Sequence, residues 1–177
     1  MKTISTIVLS ILIYHISFSQ VIQLDSIQER EYFPSGKIKA EYWLKFYYPA
    51  PLLDGEFIVY YENGGICEKT FWTRGKIVGT REVYDEKGRV IFRDTYIEGD
   101  PRTIISNAFY YDFLAACTHT EAVLIETGVN KTQLHGTLKY FRRNGNLMDL
   151  EIYEYGVKIY RAHFNNKGEL SYEEKYR

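Results

Sequence analysis

The feature that most constrains this chain is a glycine that returns at turn positions. Gly36 in FPSGK, Gly64 in YENGG, Gly88 in DEKGR, Gly145 in RRNGN and Gly168 in NNKGE each follow a turn-forming residue. Such contexts suit hairpin turns with a residue in the left-handed conformation, either a type I′ pair or a type I turn closed by a glycine bulge. An aromatic stands four positions before each anchor, as Tyr32, Tyr60, Tyr84, Phe141 and Phe164, and a branched apolar residue two after, as Ile38, Ile66, Val90, Leu147 and Leu170. Eight after the anchor come Trp72, Tyr96, Tyr153 and Tyr176, and three beyond that Gly75, Gly99 and Gly156. Gly55, Gly79 and Gly136, nine before an anchor, mark the start of a hairpin. Because strand side chains alternate, the even offsets place Ile66 with Trp72, and Val90 with Tyr96, on one face.

The anchors Gly64 and Gly88 are 24 apart, Gly145 and Gly168 are 23 apart, and Gly88 and Gly145 are 57 apart. The last gap holds about two periods. A degenerate copy therefore belongs there, with Cys117 as a lapsed anchor and Phe113 as its preceding aromatic. The same stretch also fits a short helix over 101–116, where Ile104, Ile105, Ala108, Tyr111 and Ala115 fall on helical spacing behind Asp100 as a cap. With 17 Tyr and 10 Phe against 2 Met and 4 Pro, the composition favours pleated, half-buried surfaces. The predicted fold is all-β: an elongated single-layer antiparallel sheet of about six β-hairpin repeats with a period of about 24. Insertions near 43–52 and 100–112 interrupt it.

Residues 1–19 have the form of a secretory signal peptide, with Lys2, an apolar run from Ile4 to Ile16, and Ser17-Phe18-Ser19 as a cleavage signal. The run is shorter than the roughly 18 to 20 residues of a spanning helix. Residues 20–177 are then an exported domain, periplasmic or extracellular. With 22 basic and 23 acidic residues there is no cationic field to draw nucleic acid. Cys67 and Cys117 lie 50 positions apart and form neither a disulfide framework nor a metal-ligand signature; a single disulfide and two free thiols both fit.

The string GEFIVYYENGGICEKTFWTRGKIVGTREVYDEKGRVIFRDTYIEG resembles two successive bacterial MORN-type repeats, of the variant found in YwqK-type proteins described as predicted antitoxins. The likeness covers Gly55 to Gly99 and Gly136 to Arg177 well, Glu31 to Leu44 partly and Asp100 to Leu134 poorly. It implies a twisted run of hairpins whose aromatics stack along its length. It further implies a binding or scaffolding role toward protein or a membrane surface, with a toxin as one partner. It brings no catalytic residues.

Aromatics in the repeat phase read as the core of the array, so residues outside the phase are the better binding candidates: Trp43, Tyr47, Tyr48, Tyr110 and Tyr111 in the two insertions. Asp94, Glu151 and Glu174 recur at one offset; paired carboxylates could serve glycoside hydrolysis, but cross-strand charge partners are the simpler reading. His119, His135 and His163 stand in no metal or catalytic-triad arrangement, and the glycines form no phosphate loop. The expectation is a non-catalytic module without cofactor or metal. An antitoxin-like inhibitor and a carbohydrate-active hydrolase are the alternatives.

Overall fold

A computed structural model describes residues 26–99, 101–111, 117–128 and 131–176. The protein is all-β, with twelve antiparallel strands in one open sheet whose order in space is the order in sequence. The strands are β1 Ile27–Tyr32, β2 Ile38–Tyr47, β3 Ala50–Tyr60, β4 Ile66–Thr73, β5 Lys76–Tyr84 and β6 Val90–Ile97. They continue as β7 Thr103–Phe109, β8 His119–Gly128, β9 Lys131–Phe141, β10 Leu147–Glu154, β11 Val157–Phe164 and β12 Leu170–Lys175. The expected leader, residues 1–19, lies outside the described residues.

The five glycine anchors close five identical turns at one end of the sheet. At Gly88, the glycine N–H donates to Asp85 O at 2.9 Å and Asp85 N–H donates to Arg89 O at 2.9 Å, which is a type I turn with a glycine bulge. The glycine has φ 76°, a conformation that crowds a Cβ against the following carbonyl in any L residue. The Asp85 carboxylate accepts from the Lys87 and Arg89 N–H groups, fastening the turn from inside.

The stretch after Gly99 is strand where it is described. β7 pairs with β6 through Tyr96↔Ile104, Asp94↔Ser106 and Phe92↔Ala108, which corrects the helical alternative over 101–111; residues 112–116 lie outside the described residues. Apolar residues at 104, 105 and 108 satisfy either period over so short a run, and the ladder offered by β6 decides. The degenerate unit is real, and Phe109 stands in the place of its pre-turn aromatic; the expected Phe113 lies outside the described residues. Phe109 pairs with His119, and Tyr110 N–H reaches Thr118 O at 2.9 Å, the bond that Asp85 makes to Arg89 O in a regular unit.

Cross-strand register divides the side chains into two faces. Phe57, Thr70, Trp72, Arg81, Asp94, Tyr96, Ile104 and Glu151 belong to one, here face A; the pre-turn aromatics all belong to the other, face B. Ile66 does not share a face with Trp72, nor Val90 with Tyr96. A register shift beside each regular glycine turn inserts one residue, so Ile66 stands opposite Tyr60 on face B and Trp72 opposite Gly55 on face A. The glycines Gly55, Gly79 and Gly136 lie inside strands, near shifts in register, rather than at hairpin starts. Gly55 has a steric reason: a Cβ there would sit 2.9 Å from the Cβ of Trp43.

With no second layer, burial comes from neighbours on adjacent strands. Eight of the described residues are buried, and six of these, among them Ala40, Thr70, Ile104 and Ala108, are on face A. Cohesion rests on cross-strand pairs, each contributing about 0.2–1 kcal/mol. One rung of face B crosses every strand, from Arg30↔Glu41 through Lys69↔Glu82↔Arg93 to Glu121↔Lys139 and on to Glu173.

A longer period overlies the hairpin repeat. Strand starts 38, 50, 66 and 76 recur at 119, 131, 147 and 157, a constant offset of 81. Gly55, Asn63-Gly64 and Gly75 recur as Gly136, Asn144-Gly145 and Gly156. The molecule is two six-stranded halves in tandem.

Candidate functional site

The end of the sheet opposite the glycine turns is uneven. The β2–β3 hairpin and its counterpart β8–β9 have strands of 10 and 11 residues, against 8 or 9 in β4, β5, β10 and β11, so both reach beyond their neighbours. Each fastens to the two-residue turn that follows. Gly75 N–H donates to Leu53 O and Gly156 N–H to Leu134 O, both at 2.8 Å. The residues preceding those glycines, Arg74 and Tyr155, have φ 49° and 45°, as a type I′ turn requires of both central residues. Their N–H groups donate to Asp54 at 3.2 Å and His135 at 3.3 Å, which occupy equivalent positions in the two halves.

Between the two hairpins, on face A, lies a groove of about 660 Å³. Trp72, Ile77, Tyr96 and Ile104 contribute its apolar surface, and Arg102 and Glu126 an ion pair. The Arg102 guanidinium meets Glu126 through two bonds, at 3.1 and 2.6 Å, donates to Ile77 O, and stacks on Tyr96 with its carbon 4.9 Å from the ring centre. The Glu126 bond raises the pKa of Arg102 above its ordinary value, and burial does the same to the Tyr96 hydroxyl. Both stay in their hydrogen-bearing forms. Around this braced pair, Lys76 and Glu98 line the groove and make no ion pair among the described residues. At the matching place in the second half, Lys158 stacks on Tyr153 and pairs with Glu151, so charge fills what is apolar in the first half.

The structure separates the candidates named from sequence. Trp43, Tyr47 and Tyr48 belong to the β2–β3 hairpin, while Tyr110 and Tyr111 follow β7 at the opposite, glycine-turn end. Tyr47 donates to Asp54 and lies under Arg74 at 5.5 Å, and Tyr111 donates to Val90 O at 2.7 Å beneath Arg89 at 4.4 Å. Tyr48, at the hairpin tip, is 92% exposed. The groove residues escaped the sequence reading. Trp72 and Tyr96 stand in the repeat phase and were assigned to architecture, and Arg102 and Glu126 lie in the stretch without a clear repeat. Their signal was the sparseness of the pattern itself.

The recurring carboxylates are held by donors. Asp94 takes Arg81 at 3.2 Å and Ser106, Glu151 takes Lys158 and Tyr153, and Glu174 takes Tyr172 and Tyr176 at 2.7 and 2.8 Å. The two tyrosine bonds hold Glu174 below the usual carboxylate range. Cys67 is the second residue of β4 and Cys117 precedes β8, four strand spacings or about 19 Å away. A disulfide needs Cα atoms within about 7 Å, so the thiols are free. Among the described residues no three His, Cys, Asp or Glu side chains gather as a metal site, and no helix is long and apolar enough to cross a membrane.

No family model, curated protein or solved structure matches this chain. Function is therefore read from the groove and its surroundings.

Proposed function

We propose that the protein is an exported, non-catalytic binding module that holds a protein partner in the groove between its two long hairpins. The groove carries this reading: an aromatic and aliphatic surface braced by the Arg102–Glu126 pair, with Lys76 and Glu98 left to meet a ligand's own charges. That mixture suits a polypeptide segment with an apolar anchor and polar flanks. The carboxylates that would serve hydrolysis instead accept hydrogen bonds from arginine, lysine, serine or tyrosine. A general acid at neutral pH would need its pKa raised, and the tyrosine bonds at Glu174 work the other way. Export rests on the leader-like residues 1–19.

The test is affinity capture from the envelope fraction of the native cell, comparing wild type with Thr132→Trp, which fills the groove from an exposed position. A partner bound by wild type and lost from the variant supports the assignment. Identical partners from both would overturn it. A captured toxin would place the protein with antitoxin-like inhibitors, the role suggested by the MORN-type resemblance.

A further inference from the structure

We propose that the occupant of the groove is the β2–β3 hairpin of a second copy of this chain, the two copies forming a closed dimer. This rests on the reading of the groove as a protein-binding site.

The hairpin has the composition of a buried element and the exposure of a free one. Residues 46–52, FYYPAPL, carry no charge, and Phe46 is 48%, Tyr48 92% and Leu52 38% exposed. The fold does not demand this. The counterpart hairpin, 81 positions on, reads TGVNKTQ over 127–133, and it likewise accepts the next turn's glycine N–H through Leu134 O. One hairpin does this architectural work with polar residues, so the apolar tip of the other serves something else. Exposed apolar surface of this kind marks a contact site.

Three observations point to a second copy. The tip is apolar and aromatic, as is the groove surface formed by Trp72, Tyr96 and Ile104. Lys45, exposed at the base of the tip, is opposite in charge to Glu98 in the groove, and neither makes an ion pair among the described residues. Finally, tip and groove are neighbours in one molecule: a Cβ on Gly75, which lines the groove, would lie 3.5 Å from Leu52. Because donor and acceptor surfaces adjoin, one two-fold axis can seat both hairpins in both grooves at once. The contact is then self-complementary and closes as a dimer without propagating into a fibre.

Sedimentation velocity on the purified protein tests this. Wild type is expected to sediment as a dimer in the micromolar range, and Tyr48→Asp as a monomer with an unchanged far-ultraviolet circular dichroism spectrum. Lys45→Glu and Glu98→Lys should each weaken association at least several-fold, and the double variant should recover most of it. A wild type that stays monomeric throughout that range overturns the dimer while leaving capture of another protein open. A Tyr48→Asp dimer, or a charge-reversed pair without recovery, overturns the hairpin-in-groove contact. A wild-type monomer that binds phosphatidylcholine vesicles through Tyr48 would assign the tip to a lipid interface and equally overturn the dimer.

Discussion

Single residues fix the turns, and their effects are separable. At φ 76°, Gly88 is in a region where a side chain costs about 1–2 kcal/mol, so Gly88→Val should lower stability by at least that amount in urea titrations. Arg74 is the reverse case. It holds φ 49° where asparagine followed by glycine is preferred, and Arg74→Asn should raise stability by about 0.5 kcal/mol despite losing the stack on Tyr47. His119 lies between Phe109 and Phe141, with ring centres 4.8 and 5.0 Å away, and burial lowers its pKa below the ordinary 6.5. The folded state then takes up this proton less readily than the unfolded chain. The resulting stability is fully present above about pH 6.5 and declines as pH falls below it. Urea midpoints on either side of that pH should differ less in His119→Phe than in wild type.

At the level of hairpins, the exchangeable part is the tip. Replacing FYYPAPL at 46–52 with TGVNKTQ from the sister hairpin should leave stability within about 1 kcal/mol of wild type, since only the outer ends of β2 and β3 are exchanged. Partner binding should be lost. The hairpins were also the most legible part of the sequence. Glycine after a turn former, with an aromatic four residues before, located all five regular turns because a left-handed position tolerates few residues. Face assignment failed one step later. The register shift between Val59 and Tyr60 adds a residue that no period-two count can register, so Ile66 and Trp72, six apart, are on opposite faces. The groove was hidden for a related reason. Trp72 and Tyr96 are indistinguishable in sequence from the aromatics that only fill the sheet, and it is the hairpin lengths on either side that leave them accessible.

Across the whole molecule, strands pair only with their neighbours in sequence. Stability is accordingly a chain of nearest-neighbour interfaces with weak ends. All residues of β1 and β12 are exposed, and hydrogen exchange should release these two strands first and the β7–β9 amides last. Equal protection across the twelve strands would contradict that. Charged side chains on both outer strands, Glu29, Arg30 and Glu31 in β1 and Glu173, Glu174 and Lys175 in β12, discourage pairing of one sheet edge with another. The groove proposed to receive the second copy lies on face A and leaves the edges clear.

The offset of 81 makes the β6–β7 junction a splice point. By that correspondence β6 is to β7 as β12 would be to the first strand of a third unit. An inserted copy would meet ladder partners on both sides there and lengthen the sheet by six strands, about 29 Å. Copy number is thus a variable that such a gene can change by unequal recombination while the two charged outer strands stay in place as terminators.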